Sequence, residues 1–130
     1  MRFRLRSLFL AAALVAVICA LVRWSQLDGF GGAIFSLLLP DDTLWADGYS
    51  DDSFLAVRIG MERSEVYALL GKPLEVRPSP TMFEFDARRH NLGEVLECWT
   101  QTPNNSHFHV RQVVFKGDTV VHKSSGFYVD

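Results

Sequence analysis

The stretch Ser7–Val22, SLFLAAALVAVICALV, constrains this chain more than any other part of it. It has sixteen residues and no charge, with Arg2, Arg4 and Arg6 before it and Arg23 and Trp24 after it. As a helix it spans roughly 24 Å, somewhat short of the roughly 30 Å hydrocarbon core. Arginines at both ends can snorkel and Trp24 can sit at headgroup level, which covers much of the shortfall. A cleaved secretory signal is the competing reading, but the residues after Ala20 are large and offer no small-x-small site. A lipoprotein signal ending at Cys19 is a third; there Ile18 stands where a small residue is expected, and the apolar run continues past the cysteine. The leading expectation is an uncleaved single-pass anchor over 1–24 in a cytoplasmic membrane. The arginine bias puts the N-terminus in the cytoplasm and the remainder on the periplasmic side. Cleavage would instead leave a secreted or periplasmic protein.

The rest of the chain has room for one small domain. Net charge is −2 overall, and from Ser50 onward nine Lys/Arg face eleven Asp/Glu, so nothing in the charge points to nucleic acid. Of the two cysteines, Cys19 lies inside the apolar run and Cys98 in the soluble part. An anchor keeps them apart, which leaves Cys98 as a lone, apolar-type thiol.

Between anchor and domain, residues 25–52 read as a juxtamembrane stretch. Gly29–Pro40, GFGGAIFSLLLP, is too short to span. Its early glycines weaken a helix, so an interfacial or partly buried role is expected. Asp41–Asp52, DDTLWADGYSDD, reads as an acidic linker, with Trp45 and Tyr49 docking on either the domain or the lipid surface.

The domain is expected over 53–130. Ser53–Arg58 forms a short helix or strand. Glu62–Leu70 has Val66, Leu69 and Leu70 on one stripe, then Gly71 as a helix stop and Pro73 beyond it. Period two then takes over in Met82–Asp86, Glu94–Gln101, Phe108–Lys116 and Thr119–Lys123, with Gly117-Asp118 as a hairpin turn. Ala87–Gly93 is a basic loop containing Arg88, Arg89 and His90, and Thr102–Ser106 is a turn. The fold class is α+β: an N-terminal transmembrane helix, then one or two helices packed on a three- to four-stranded antiparallel sheet.

Ile59–Pro73, IGMERSEVYALLGKP, resembles the signature of the BamE-like (SmpA/OmlA-type) module through Gly60, Met61, Val66, Leu70, Gly71 and Pro73. Phe115–Val121, FKGDTVV, is similar to that family's closing hairpin. The resemblance implies two helices against a three-stranded antiparallel sheet, used for protein binding. The chain departs from the family in carrying Glu62 where Ser or Thr caps the helix, and in lacking a lipobox.

Candidate chemistry is sparse. Cys98, His107 and His109 are the one set that could ligate zinc or copper, or act as a thiol-redox module. A polar, solvent-facing row of His107, His109 and Arg111 is the plainer reading. His90 and His122 read as surface residues, and Asn104-Asn105-Ser106 as a turn. Nothing assembles a nucleophile with a base, a phosphate loop or a small-molecule site, and no cofactor is expected. The expected function is a non-enzymatic, membrane-tethered envelope protein. Its partners are the membrane, through residues 7–22, and another envelope protein. An aromatic sheet face carrying Phe83, Phe85 and Trp99 is the candidate binding surface.

Overall fold

The computed structural model describes residues 5–78, 93–104 and 106–130. Helix α1 covers Leu5–Leu38 and is broken at Gly29, where φ 69° and ψ 171° leave helical space. Only glycine adopts that backbone without strain. The first arm, residues 5–28, is about 36 Å long, enough for a hydrocarbon core of roughly 30 Å. It carries the Ser7–Val22 run, and Gly29–Pro40, weak as a helix on propensity, supplies most of a second. Large side chains of the first arm, among them Leu8, Phe9, Leu10 and Leu14, are exposed. The helix is long and apolar enough to cross a membrane, a property that a signal sequence near an N-terminus shares.

The second arm is held against the domain. Ala33 on it is buried, as are Leu27 and Asp28 at the end of the first arm. Gly32 backs onto the sheet so closely that a Cβ there would lie 3.2 Å from the Cβ of Phe127. Propensity is overridden here by packing, because small residues permit the approach.

Residues 41–52, expected as a linker, are built into the fold. Strand β1 (Leu44–Trp45) pairs antiparallel with β4 (Thr100–Gln101), and the Ala46 N–H donates to Trp99 O at 2.9 Å. Trp45 and Tyr49 stack on each other 5.0 Å apart and dock on the domain. Helix α2 (Asp51–Ala56) follows, with Ser50 Oγ accepting from the Ser53 N–H and two aspartates in the first turn. Its C-terminal end is closed from a distance: Lys123 Nζ donates to the carbonyls of Phe54, Leu55 and Val57.

Helix α3 covers Arg63–Leu70 and places Val66 and Leu70 in the core. The missing Ser/Thr cap is replaced by other groups. The Glu65 carboxylate accepts from the Glu62 N–H at 2.9 Å, and Asp118 O accepts from the Arg63 N–H at 2.7 Å. Gly71 ends the helix at φ 73°, and a Cβ on it would meet Asp47 O at 2.4 Å. Glycine is thus required there on two counts, backbone angle and space.

The main sheet is antiparallel in the order β2-β3-β5-β6, with β2 Glu75–Pro78, β3 Glu94–Cys98, β5 Phe108–Lys116 and β6 Thr119–Tyr128. β2 precedes the first of the expected period-two strands, and Pro78 sits at its last position, where a missing N–H costs least. β6 outruns the expected Thr119–Lys123 because pairing with β5 continues to Tyr128 after the apolar alternation ends. The expected strand Met82–Asp86 and the Arg88–His90 loop lie outside the described residues.

Parity sorts the sheet into two faces. Trp99, Val113, Phe115 and Val120 turn to the helix side and join Phe54, Val57, Val66 and Leu70 in the main core. Leu96, Cys98 and Val114 form a smaller cluster on the opposite face.

Candidate functional site: a buried charge cluster between helix and sheet

His109 and Arg111 are two apart on β5 and point to one face, as alternation requires. That face is covered. The Arg111 side chain is 1% exposed, which corrects the reading of a solvent-facing row. The periodicity is the same in either case; what differs is that Asp28 of α1, with Trp45 and Tyr49, lies over it.

Arg111 is surrounded by acceptors. Nη1 donates to Asp28 Oδ1 at 2.7 Å and Nη2 to Asp28 Oδ2 at 3.2 Å, a two-pronged pairing. Nε donates to the Tyr49 hydroxyl at 3.1 Å and to Asp51 Oδ1 at 3.3 Å. Nη1 also reaches Val110 O at 2.8 Å and Gly126 O at 3.3 Å. The guanidinium lies 5.7 Å from the Trp45 ring centre. Burial by itself would weaken the charge on Arg111; the hydrogen bonds and charge of Asp28 outweigh it and raise the pKa. Burial, then the hydrogen bond to Asp51, push the Tyr49 hydroxyl far above its ordinary range, so it stays a donor. Its O–H donates to Asp51 Oδ1 at 2.6 Å.

His109 flanks this pair. Its Nδ1 is 3.1 Å from Asp28 Oδ2, a close contact without hydrogen-bond alignment, and its Nε2 is 3.5 Å from Asp41 Oδ2. Phe127 packs edge-on against the imidazole at 4.9 Å. The cluster thus draws on α1, the 41–51 segment and β5, and ties all three together. Just beyond it, Arg23 of α1 pairs with Asp52 of α2. A cavity of about 290 Å³ opens there, lined by Ala20, Trp24, Leu27 and Leu55 among others.

A second buried acid lies near α3. The Glu97 side chain is 1% exposed, with Oε1 3.4 Å from Arg63 Nε and Oε2 lacking a hydrogen bond among the described residues. Burial raises its pKa, partly offset by the Tyr67 hydroxyl and Arg63. Burial and Glu97 push Tyr67 up to about 12. Arg63 in turn lies 4.7 Å over the Phe115 ring and donates to Gly117 O at 3.0 Å.

The Cys98, His107 and His109 set does not converge. Cys98 pairs in register with Gln112, so it shares the face of the even-numbered β5 residues, while His109 lies on the other. His107 precedes β5, and its Nδ1 accepts from the Asp130 N–H at 3.3 Å. Among the described residues no group of three His, Cys, Asp or Glu could hold a metal ion. Burial pushes the Cys98 thiol up to about 11, which keeps it protonated. Asn104 and Ser106 both donate to Asp42 Oδ2, at 3.5 and 2.5 Å, in a turn. Trp99, expected on a partner surface, is fully buried with Nε1 donating to Gly71 O at 3.1 Å, so it builds the core instead. Phe83, Phe85 and His90 lie outside the described residues.

Asp28 was missed in the sequence, although a signal was there: one carboxylate between Leu27 and Phe30, amid apolar residues. Compared with known proteins, the chain matches no family model, no curated protein and no solved structure.

Proposed function

We propose that this chain is a non-enzymatic, membrane-tethered interaction module whose domain stands on the periplasmic side of a bacterial cytoplasmic membrane. The observation that carries this reading is the Arg111–Asp28 clamp. It seats the domain directly on the helix, where a bare linker would leave it free to swing. A module held this way meets membrane partners at high effective concentration and in a restricted orientation. The three arginines ahead of the apolar run favour a cytoplasmic N-terminus.

The BamE-like resemblance supports the same role. Its two halves lie against each other: Glu62 bridges to Thr119, and the Arg63 N–H donates to Asp118 O. The helix motif and the hairpin motif are thus packed together, which supports reading them as one unit.

Crosslinking with mass spectrometry in native membranes tests the proposal, alongside protease protection in sealed vesicles. The expected result is recurrent crosslinks from the domain to a membrane protein of the envelope, with the domain on the side opposite the N-terminus. A domain on the cytoplasmic side, or an intact mass about twenty residues short, would overturn it.

A further inference from the structure

The second arm of α1 is inside out for a helix docked on a water-soluble domain. Such a helix turns its large apolar side chains inward and polar ones outward. Here the residues against the domain are small: Gly32, Ala33 and Ser36, with Ser36 Oγ bonded back to Ala33 O. The outward stripe is Phe30, Ile34, Leu37 and Leu38, at i, i+4, i+7 and i+8. Phe30 is 72% exposed, Leu37 63% and Leu38 73%. No charge occurs between Gly29 and Pro40, and Asp41 and Asp42 follow at once. Small residues toward a neighbour and large apolar ones away from it is the arrangement of helices in lipid.

We infer that the outward face of residues 30–38 is a second membrane contact, embedded lengthwise in the headgroup and acyl boundary of the bilayer that α1 enters. The inference rests on the membrane reading above. The arm is continuous with the spanning run and is turned from it only at Gly29. Nine residues reach about 13 Å, too short to cross but suited to lying along the interface. Two contacts, one spanning and one lateral, fix the rotation of the domain about the anchor as well as its height. The sheet is fixed with them, because Gly32 rests on Phe127 of β6.

Photo-crosslinking in the full-length protein tests this. p-Benzoylphenylalanine replaces Leu14, Leu37, Leu38 or Asp118 in turn, and each protein is reconstituted in phosphatidylethanolamine/phosphatidylglycerol vesicles. All four side chains are exposed, so the fold tolerates the exchange. Leu14 reports the span, and Asp118 the hairpin tip away from lipid. The expected result is a mass gain of one phospholipid at positions 14, 37 and 38, and none at 118. Lipid at 14 with none at 37 and 38, or a chain–chain adduct there, overturns the inference and leaves the span standing. No lipid at 14 removes the membrane reading itself.

Discussion

Replacing Asp28 by Asn keeps the side chain's size and removes the charge facing Arg111. The guanidinium stays buried at 1% exposure. It keeps the carbonyls of Val110 and Gly126, the Tyr49 hydroxyl, and Asp51, whose side chain is half exposed and screened. Removing one member of a buried pair typically costs about 3–5 kcal/mol. Those remaining acceptors bring the expectation for Asp28→Asn to the lower end, about 3 kcal/mol. That is a large share of the about 5–10 kcal/mol available to a small domain. Arg111→Met is expected to cost a similar amount by stranding Asp28 beside His109. The double variant loses the pair together, so its cost is expected near that of either single change, a coupling of about 2–3 kcal/mol. Urea unfolding of the full chain in non-ionic micelles, followed by near-ultraviolet circular dichroism, reads these values. The slope with denaturant is expected to stay constant. Strictly additive single costs, or an Asp28→Asn variant within about 0.5 kcal/mol of wild type, would refute the clamp as an energetic unit.

Gly71→Ala forces a Cβ into a left-handed backbone and onto Asp47 O, and is expected to cost about 2–3 kcal/mol in thermal unfolding; an unchanged midpoint would contradict the close approach. Glu97 has a folded pKa raised above its unfolded value near 4.5, so the folded state binds more protons and stability falls as pH rises from that value through the folded one. Glu97→Gln is expected to flatten that slope, and an identical pH profile in both proteins would count against it. Lys123→Met removes the donor to three carbonyls at the end of α2 and the contact 5.2 Å over Phe54, with an expected cost of about 1–2 kcal/mol. Faster amide exchange confined to 51–57 would mark the loss, whereas exchange unchanged there would show that α2 holds without it.

What could be read from the residues was local. Val66, Leu69 and Leu70 with Gly71 define α3, and the Gly117-Asp118 turn with its flanking alternation defines the β5–β6 hairpin. The even positions of β3 were correctly grouped, since Leu96 and Cys98 share one cluster. Alternation alone does not say whether a polar row faces water or a helix, and His109 and Arg111 were assigned to water for that reason. β2 and β1 are too short to carry a period, and their pairing is written in partners 17 to 57 residues away. The Asp28–Arg111 pair is the extreme case. No local pattern links a carboxylate in an apolar helix to a guanidinium 83 residues later.

That separation also sets an order of events. The carboxylate of Asp28 is synthesised long before the strand that will neutralise it. Until β5 emerges, an ionised carboxylate on the helix resists entry into hydrocarbon. On the membrane reading proposed above, it marks where insertion stops and later becomes the latch on which the finished domain closes. On that reading one residue serves first as a depth gauge and then as a keystone.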